Sequence, residues 1–252
     1  MKLARDTWLI FRRSLILTLR QPVWVGFGLM QPVLYLVLFG PLLEGATQAA
    51  DTGTNAFNWF VPGLIVQIAV FGTAFGGFGL IAELRNGVIE RMRVTPMSRA
   101  AMLLGRSLRD VVILIAQSTI MILLAIPFGL QIDLASWFAV VGLLVLMGLA
   151  VAPLSYAGGL ILKSEEAFAP VINGIALPAL LLSGIFLPMA FAPGWLEFLS
   201  SINPLTHAVD ATRALFNGDW GNPEVLIGTV MASVIAVFAI WFGGRAFTRA
   251  VA

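Results

Sequence analysis

The feature that most constrains this chain is a series of six apolar segments, at about Pro22–Leu43, Trp59–Ile81, Val111–Gly129, Trp137–Leu162, Phe168–Met189 and Val225–Gly243. A spanning helix needs roughly 20 mostly apolar residues to cross about 30 Å of hydrocarbon, because every backbone amide there has to be paired inside its own helix. None of the six carries a charged side chain. With 59% hydrophobic and 11% charged residues among 252, the chain is predicted to be an all-α integral membrane protein with six transmembrane helices.

Charge is confined to the connections, and its sign sets an orientation. Fourteen of the fifteen Lys and Arg residues precede the first segment, separate the second from the third or the fourth from the fifth, or follow the sixth; Arg213 is the exception. By the positive-inside rule both termini are predicted to be cytoplasmic. The net charge of +2 is therefore a topological signal and calls for no nucleic-acid partner. Residues 1–21 place Lys2, Arg5, Arg12, Arg13 and Arg20 on one side and Leu3, Ile10, Leu15 and Leu17 on the other, which predicts an amphipathic helix lying in the interface. Residues 22–252 then form one six-span domain. Between the fifth and sixth spans, at about 190–216, two short external helices are expected, split by Asn203-Pro204.

Several chemistries are excluded by what they require. Lys2 and Lys163 are the only lysines, and Lys163-Ser164 has no glycine loop before it, so no phosphate-cradling ATPase motif is present. His207 is the single histidine and stands outside any metal-ligand spacing, and there is no cysteine, so no metal site is expected. The six apolar windows contain no carboxylate that could relay protons. Ser155 and Ser183 have no neighbouring base and read as helix-packing hydroxyls. Gln31, Gln67, Thr73, Gln117, Ser118 and Asn173 are candidate pathway residues, although polar side chains in spans also serve as interhelical hydrogen-bond glue. Phe71, Phe75 and Phe78 could line a path or simply pack, and Gly72 and Gly76 have the spacing of a close helix contact.

A membrane path without its own energy source carries a dense charge cluster from Glu83 to Pro96, in which Glu83, Gly87, Glu90 and Arg91 lie at helical spacing. From the residues alone this is either a short helix facing a partner or a solvated loop whose arginines set topology. The run Glu83-Leu84-Arg85-Asn86-Gly87-Val88-Ile89-Glu90-Arg91-Met92-Arg93-Val94-Thr95-Pro96-Met97-Ser98-Arg99 closely resembles the cytoplasmic signature of type-2 ATP-binding-cassette (ABC) export permeases. So do Leu182-Ser183-Gly184-Ile185-Phe186-Leu187-Pro188, Pro193-Gly194-Trp195-Leu196 and the stretch from Asn203 to Arg213. The nearest branch is similar to daunorubicin-resistance permeases and nodulation-factor exporters.

The resemblance implies a permease in the cytoplasmic membrane of a bacterium, paired with a second permease copy and with two separate cytoplasmic ATPases that hold ATP and Mg. This chain would itself need no cofactor. It further implies a coupling helix at about 83–96, with Glu83, Arg85, Gly87, Glu90, Arg91, Arg93 and Pro96 at the ATPase. An external gate would include Pro188, Trp195, Asn203, Pro204, Asp210 and Arg213. Amphipathic drugs or lipids are the expected cargo. The alternatives are a glycolipid or polysaccharide exporter and, less in keeping with the residues, a membrane regulator of an ATPase.

Overall fold

The computed structural model describes residues 2–49, 55–93, 98–186, 188–189 and 192–250. The chain runs α1 (Lys2–Leu19), α2 (Pro22–Ala49), α3 (Ala56–Ala74), α4 (Gly76–Arg85), α5 (Val88–Arg93), α6 (Arg99–Ala125), a 3-10 turn (Ile126–Phe128), α7 (Leu134–Leu162), α8 (Glu165–Leu182), α9 (Gly194–Ile202), α10 (Pro204–Phe216) and α11 (Pro223–Ala250). Six membrane-length apolar helical stretches result, with α3 and α4 together forming the second. This is the six-span all-helical architecture predicted above.

The second span is the axis of the bundle. Buried residues make up 67% of its most apolar stretch, against 17% in α2 and in α8, so the outer helices offer their faces to lipid or to another protein. Val61, Leu64, Ile65, Val66 and Ala69 of α3 are fully enclosed by residues of α2, α6, α7, α8 and α10. A second cluster joins Leu80 of α4, Ile89 of α5, Met102 and Leu103 of α6, Ala152, Tyr156 and Leu160 of α7, and Phe247 of α11. Since lipid is as apolar as leucine, close van der Waals fit and interhelical hydrogen bonds hold such a bundle together.

The helices depart from the predicted segments in several places, α2 running on to Ala49 and α11 to Ala250. The third span continues back to Arg99, because Arg106, Arg109 and Asp110 lie within α6, where Arg106 pairs with Glu83 of α4 and Arg109 and Asp110 pair with each other and with Tyr156 of α7. The fifth stops at Leu182 and not at Met189, where Ser183 and a left-handed Gly184 (φ 71°) turn the chain. The second is interrupted at Phe75, inside its glycine-rich stretch, whereas Pro62 and Pro153 sit within continuous helices.

Lys2–Leu19 is helical, with Leu3, Trp8, Leu9, Ile16 and Leu17 exposed along it. Its other side docks on α6. Ile10 is buried against Gly105, where a Cβ would come within 2.8 Å of the Thr7 carbonyl, so the two helices approach closely. Asp6, also buried, accepts a hydrogen bond from the Ser98 N–H at 3.3 Å, placing a carboxylate at the positive N-terminus of α6.

Candidate functional site

The end of the bundle that carries α1 collects nearly all basic residues, and the segment from 83 to 93 lies there. It is not one helix. Glu83 and Arg85 finish α4, the chain turns at Asn86 and at Gly87 with φ 65°, and Glu90, Arg91 and Arg93 belong to the separate helix α5. Glycine adopts such a φ at no steric cost, which suits the residue to the turn. Pro96 lies outside the described residues.

The two parts of the cluster face different ways. Glu83 is half-buried, its Oε2 2.5 Å from Nη2 of the buried Arg106, so one carboxylate oxygen is engaged by α6. Arg85 makes an exposed 3.4 Å ion pair with Glu165 at the start of α8. Arg91 is exposed, while Ile89 of the same short helix is 1% exposed in the second core cluster. A displacement of α5 would therefore bear on α4, which it contacts, and on the second core cluster that Ile89 joins.

Behind α5 lies a polar network missed by sequence reasoning. Arg109 Nε is 3.2 Å from Asp110 Oδ1, and its Nη2 donates to the Tyr156 hydroxyl at 3.2 Å. Tyr156 in turn donates to Asp110, and Arg109 Nη1 donates to Thr18 of α1 at 3.3 Å. Asp110 and Tyr156 are almost fully buried, and a Cβ on Gly76 would come within 3.1 Å of Asp110 Oδ2. Gly76 thus serves packing within the chain. The available signal was Arg106, Arg109 and Asp110 at helical spacing directly before an apolar window, which a hydropathy reading assigns to a connection.

The interruption at Phe75 is closed by Ser155 of α7. Its Oγ accepts from the Gly77 N–H at 2.9 Å and donates to the Ala74 carbonyl. Both groups belong to helix ends that lack partners in their own helix, and water is scarce at this depth. The packing hydroxyl predicted at Ser155 is thus a staple across the break. Along the same stretch Phe71, Phe75, Phe78 and Phe168 form a chain of ring contacts, with Phe75 exposed.

At the opposite end, α10 caps α8. Asn203 Oδ1 accepts from the Leu205 N–H at 3.1 Å, an N-cap with Pro204 in the first helical position, and Asn203 Nδ2 donates to the Ala179 carbonyl at 2.7 Å. Arg213 is the central tie. Its Nε donates to the Trp59 carbonyl at 3.1 Å, Nη2 to the Gly184 carbonyl at 2.8 Å and Nη1 to Asp210 Oδ1 at 3.2 Å, with the guanidinium 4.2 Å from the Trp59 ring centre. Burial lowers the Arg213 pKa and raises that of Asp210, while their mutual attraction opposes both shifts. His207 Nδ1 lies 2.8 Å from Glu224 Oε2 and Nε2 lies 3.0 Å from the Ser201 carbonyl. Burial disfavours its charge, but the Glu224 and Ser201 contacts prevail and raise its pKa. Trp195 is exposed on α9 together with Phe198 and Ile202, and Pro188 is half-buried in the preceding connection.

Among the described residues no hydrogen bond joins the six candidate pathway residues to one another. Gln31 donates to Tyr35, while Thr73 and Asn173 bond to carbonyls of their own helices. Gln117 donates to the Val25 carbonyl at 2.9 Å and packs against Gly28 and Gly72, tying α6 to α2 and α3. Gln67 and Ser118 are buried, with Oε1 and Oγ respectively lacking a partner among the described residues.

Residues 5–217 match the family model for the ABC-2 type transporter. The chain is 30% identical over 222 residues to the daunorubicin resistance ABC transporter permease protein DrrB1 of Streptomyces coeruleorubidus, covering 86% of this chain and 77% of that protein. It is 27% identical over 220 residues to the putative transport permease ycf38 of Cyanophora paradoxa, covering 84% and 74%. To the probable multidrug ABC transporter permease YbhR of Escherichia coli K12 it is 28% identical over 195 residues, covering 71% and 51%. Six membrane-length helices and a family match across most of the sequence lead to one conclusion: the chain belongs to the ABC-2 type transporter family.

Proposed function

We propose that this chain is the permease subunit of a drug-resistance type ABC exporter in the cytoplasmic membrane of a bacterium, moving amphipathic drugs or lipids outward. Two copies would form the path, driven by two separate cytoplasmic ATPases that bind ATP and Mg. The observation that carries the reading is α5, a short helix that follows the turn at Gly87, with Arg91 exposed and Ile89 buried in the second core cluster. A partner seated on α5 would move the bundle through Ile89, and the Glu83–Arg106 pair would keep α4 and α6 together as it did so. ATP would favour one global state through contacts that differ between the two states.

The test is transport of an anthracycline and of a fluorescent phospholipid into inside-out vesicles holding the chain and its ATPase. Glu90→Lys with Arg91→Glu is expected to leave insertion and ATP hydrolysis in place and to abolish transport. Unchanged transport would remove α5 from the coupling role. The partly exposed chain of Phe71, Phe75, Phe78 and Phe168 favours a second reading, glycolipid or polysaccharide export, because sugar rings stack on aromatic faces. Competition by a lipid-linked glycan in the same vesicles decides between them.

A further inference from the structure

A groove of about 700 Å³ opens on the surface between the ends of α7 and α11, walled by Phe238, Trp241 and Phe242 and bordered by Lys163, Arg245 and Arg249. All three cations are exposed, and among the described residues none has a carboxylate within ion-pair distance. The Arg245 guanidinium carbon lies over the Trp241 ring, 5.0 Å from its centre, a cation–π position for an exposed side chain. The apolar wall and the cations lie along one uninterrupted helix. From Phe238 to Arg249 that helix rises roughly 16 Å, at about 1.5 Å per residue. One leaflet contributes about half of a hydrocarbon core roughly 30 Å thick. The groove therefore has the height of one leaflet, with its cations at the headgroup level.

We propose that this groove binds an anionic phospholipid of the cytoplasmic leaflet, with an acyl chain along Phe238, Trp241 and Phe242 and the phosphate among Lys163, Arg245 and Arg249. Charge selects the ligand. Three cations without counter-ions attract a lipid with net negative charge, whereas the ammonium of phosphatidylcholine would be repelled. A soluble protein could reach only the basic border, because the aromatic wall continues to hydrocarbon depth.

Native mass spectrometry of the detergent-solubilised chain, titrated with phosphatidylglycerol and separately with phosphatidylcholine, tests the site. Phosphatidylglycerol is expected to be retained preferentially. Each Lys or Arg near an anionic surface contributes about fivefold in affinity. The triple variant Lys163→Gln, Arg245→Gln, Arg249→Gln should therefore bind phosphatidylglycerol at least tenfold more weakly, and Lys163→Arg, Arg245→Lys, Arg249→Lys should retain it. Trp241→Ala should weaken binding with all three charges present. Equal retention of the two lipids, or undiminished phosphatidylglycerol binding by the Gln triple, overturns the proposal. Intact lipid binding by that triple with loss of a co-purifying ATPase also overturns it, assigning the patch to a protein contact.

Discussion

Replacing Ser155 by alanine removes the staple across the broken second span. The Oγ accepts from Gly77 N–H and donates to the Ala74 carbonyl, and Ser155 is 3% exposed, so water cannot readily take its place. A buried amide left without a partner costs about 1–3 kcal/mol, while interhelical hydrogen bonds in membranes contribute about 0.6 kcal/mol on average and about 1.7 at most. Two bonds lost together give an expected destabilisation of about 2 kcal/mol, or roughly 30-fold in the unfolding equilibrium. Ser118→Ala is the matched control, because Ser118 is 2% exposed and its Oγ has no partner among the described residues. It should change stability by no more than about 0.5 kcal/mol. Unfolding in mixed micelles with increasing sodium dodecyl sulfate, followed by far-ultraviolet circular dichroism, measures both. Equal losses in the two variants, or none in Ser155→Ala, would refute the assignment of these bonds as what holds the break.

Arg106→Met alone should cost about 3 kcal/mol by leaving Glu83 without its partner, and the double variant with Glu83→Met should recover most of it in the same titration. His207 has a raised folded pKa, so its contribution is fully present below its unfolded value of about 6.5 and disappears as pH rises through the folded value. Thermal melts from about pH 5.5 to about 8.5 should show that loss, and Glu224→Gln should flatten the profile. Arg213→Lys should lower the melting temperature by the equivalent of about 2 kcal/mol, since one ammonium cannot span Trp59, Gly184 and Asp210 while stacking on the Trp59 ring.

The spans were legible because each satisfies its backbone by itself, so length and hydropathy suffice to find them. The Asn203-Pro204 boundary was legible for a similar reason: an N-cap side chain and a proline at the first helical position act locally. Asp110 was not. Its charge excluded it from any apolar window, and its partner Tyr156, 46 residues away on α7, becomes visible only in the fold. Asp6 was hidden in the same way, since its acceptor role depends on a backbone amide 92 residues away.

By itself the sequence determined that this chain is a six-helix membrane protein, where its charges collect and which family its motifs resemble, because hydropathy, helix length and capping are properties of neighbouring residues. Only the tertiary structure decided that Glu83 pairs with Arg106 while Arg91 stays exposed, and that the second span is cut at Phe75 and closed by Ser155 from 78 residues beyond Gly77. The physical reason is that a buried polar group must find a partner wherever the fold supplies one, and partners from distant helices leave no local trace.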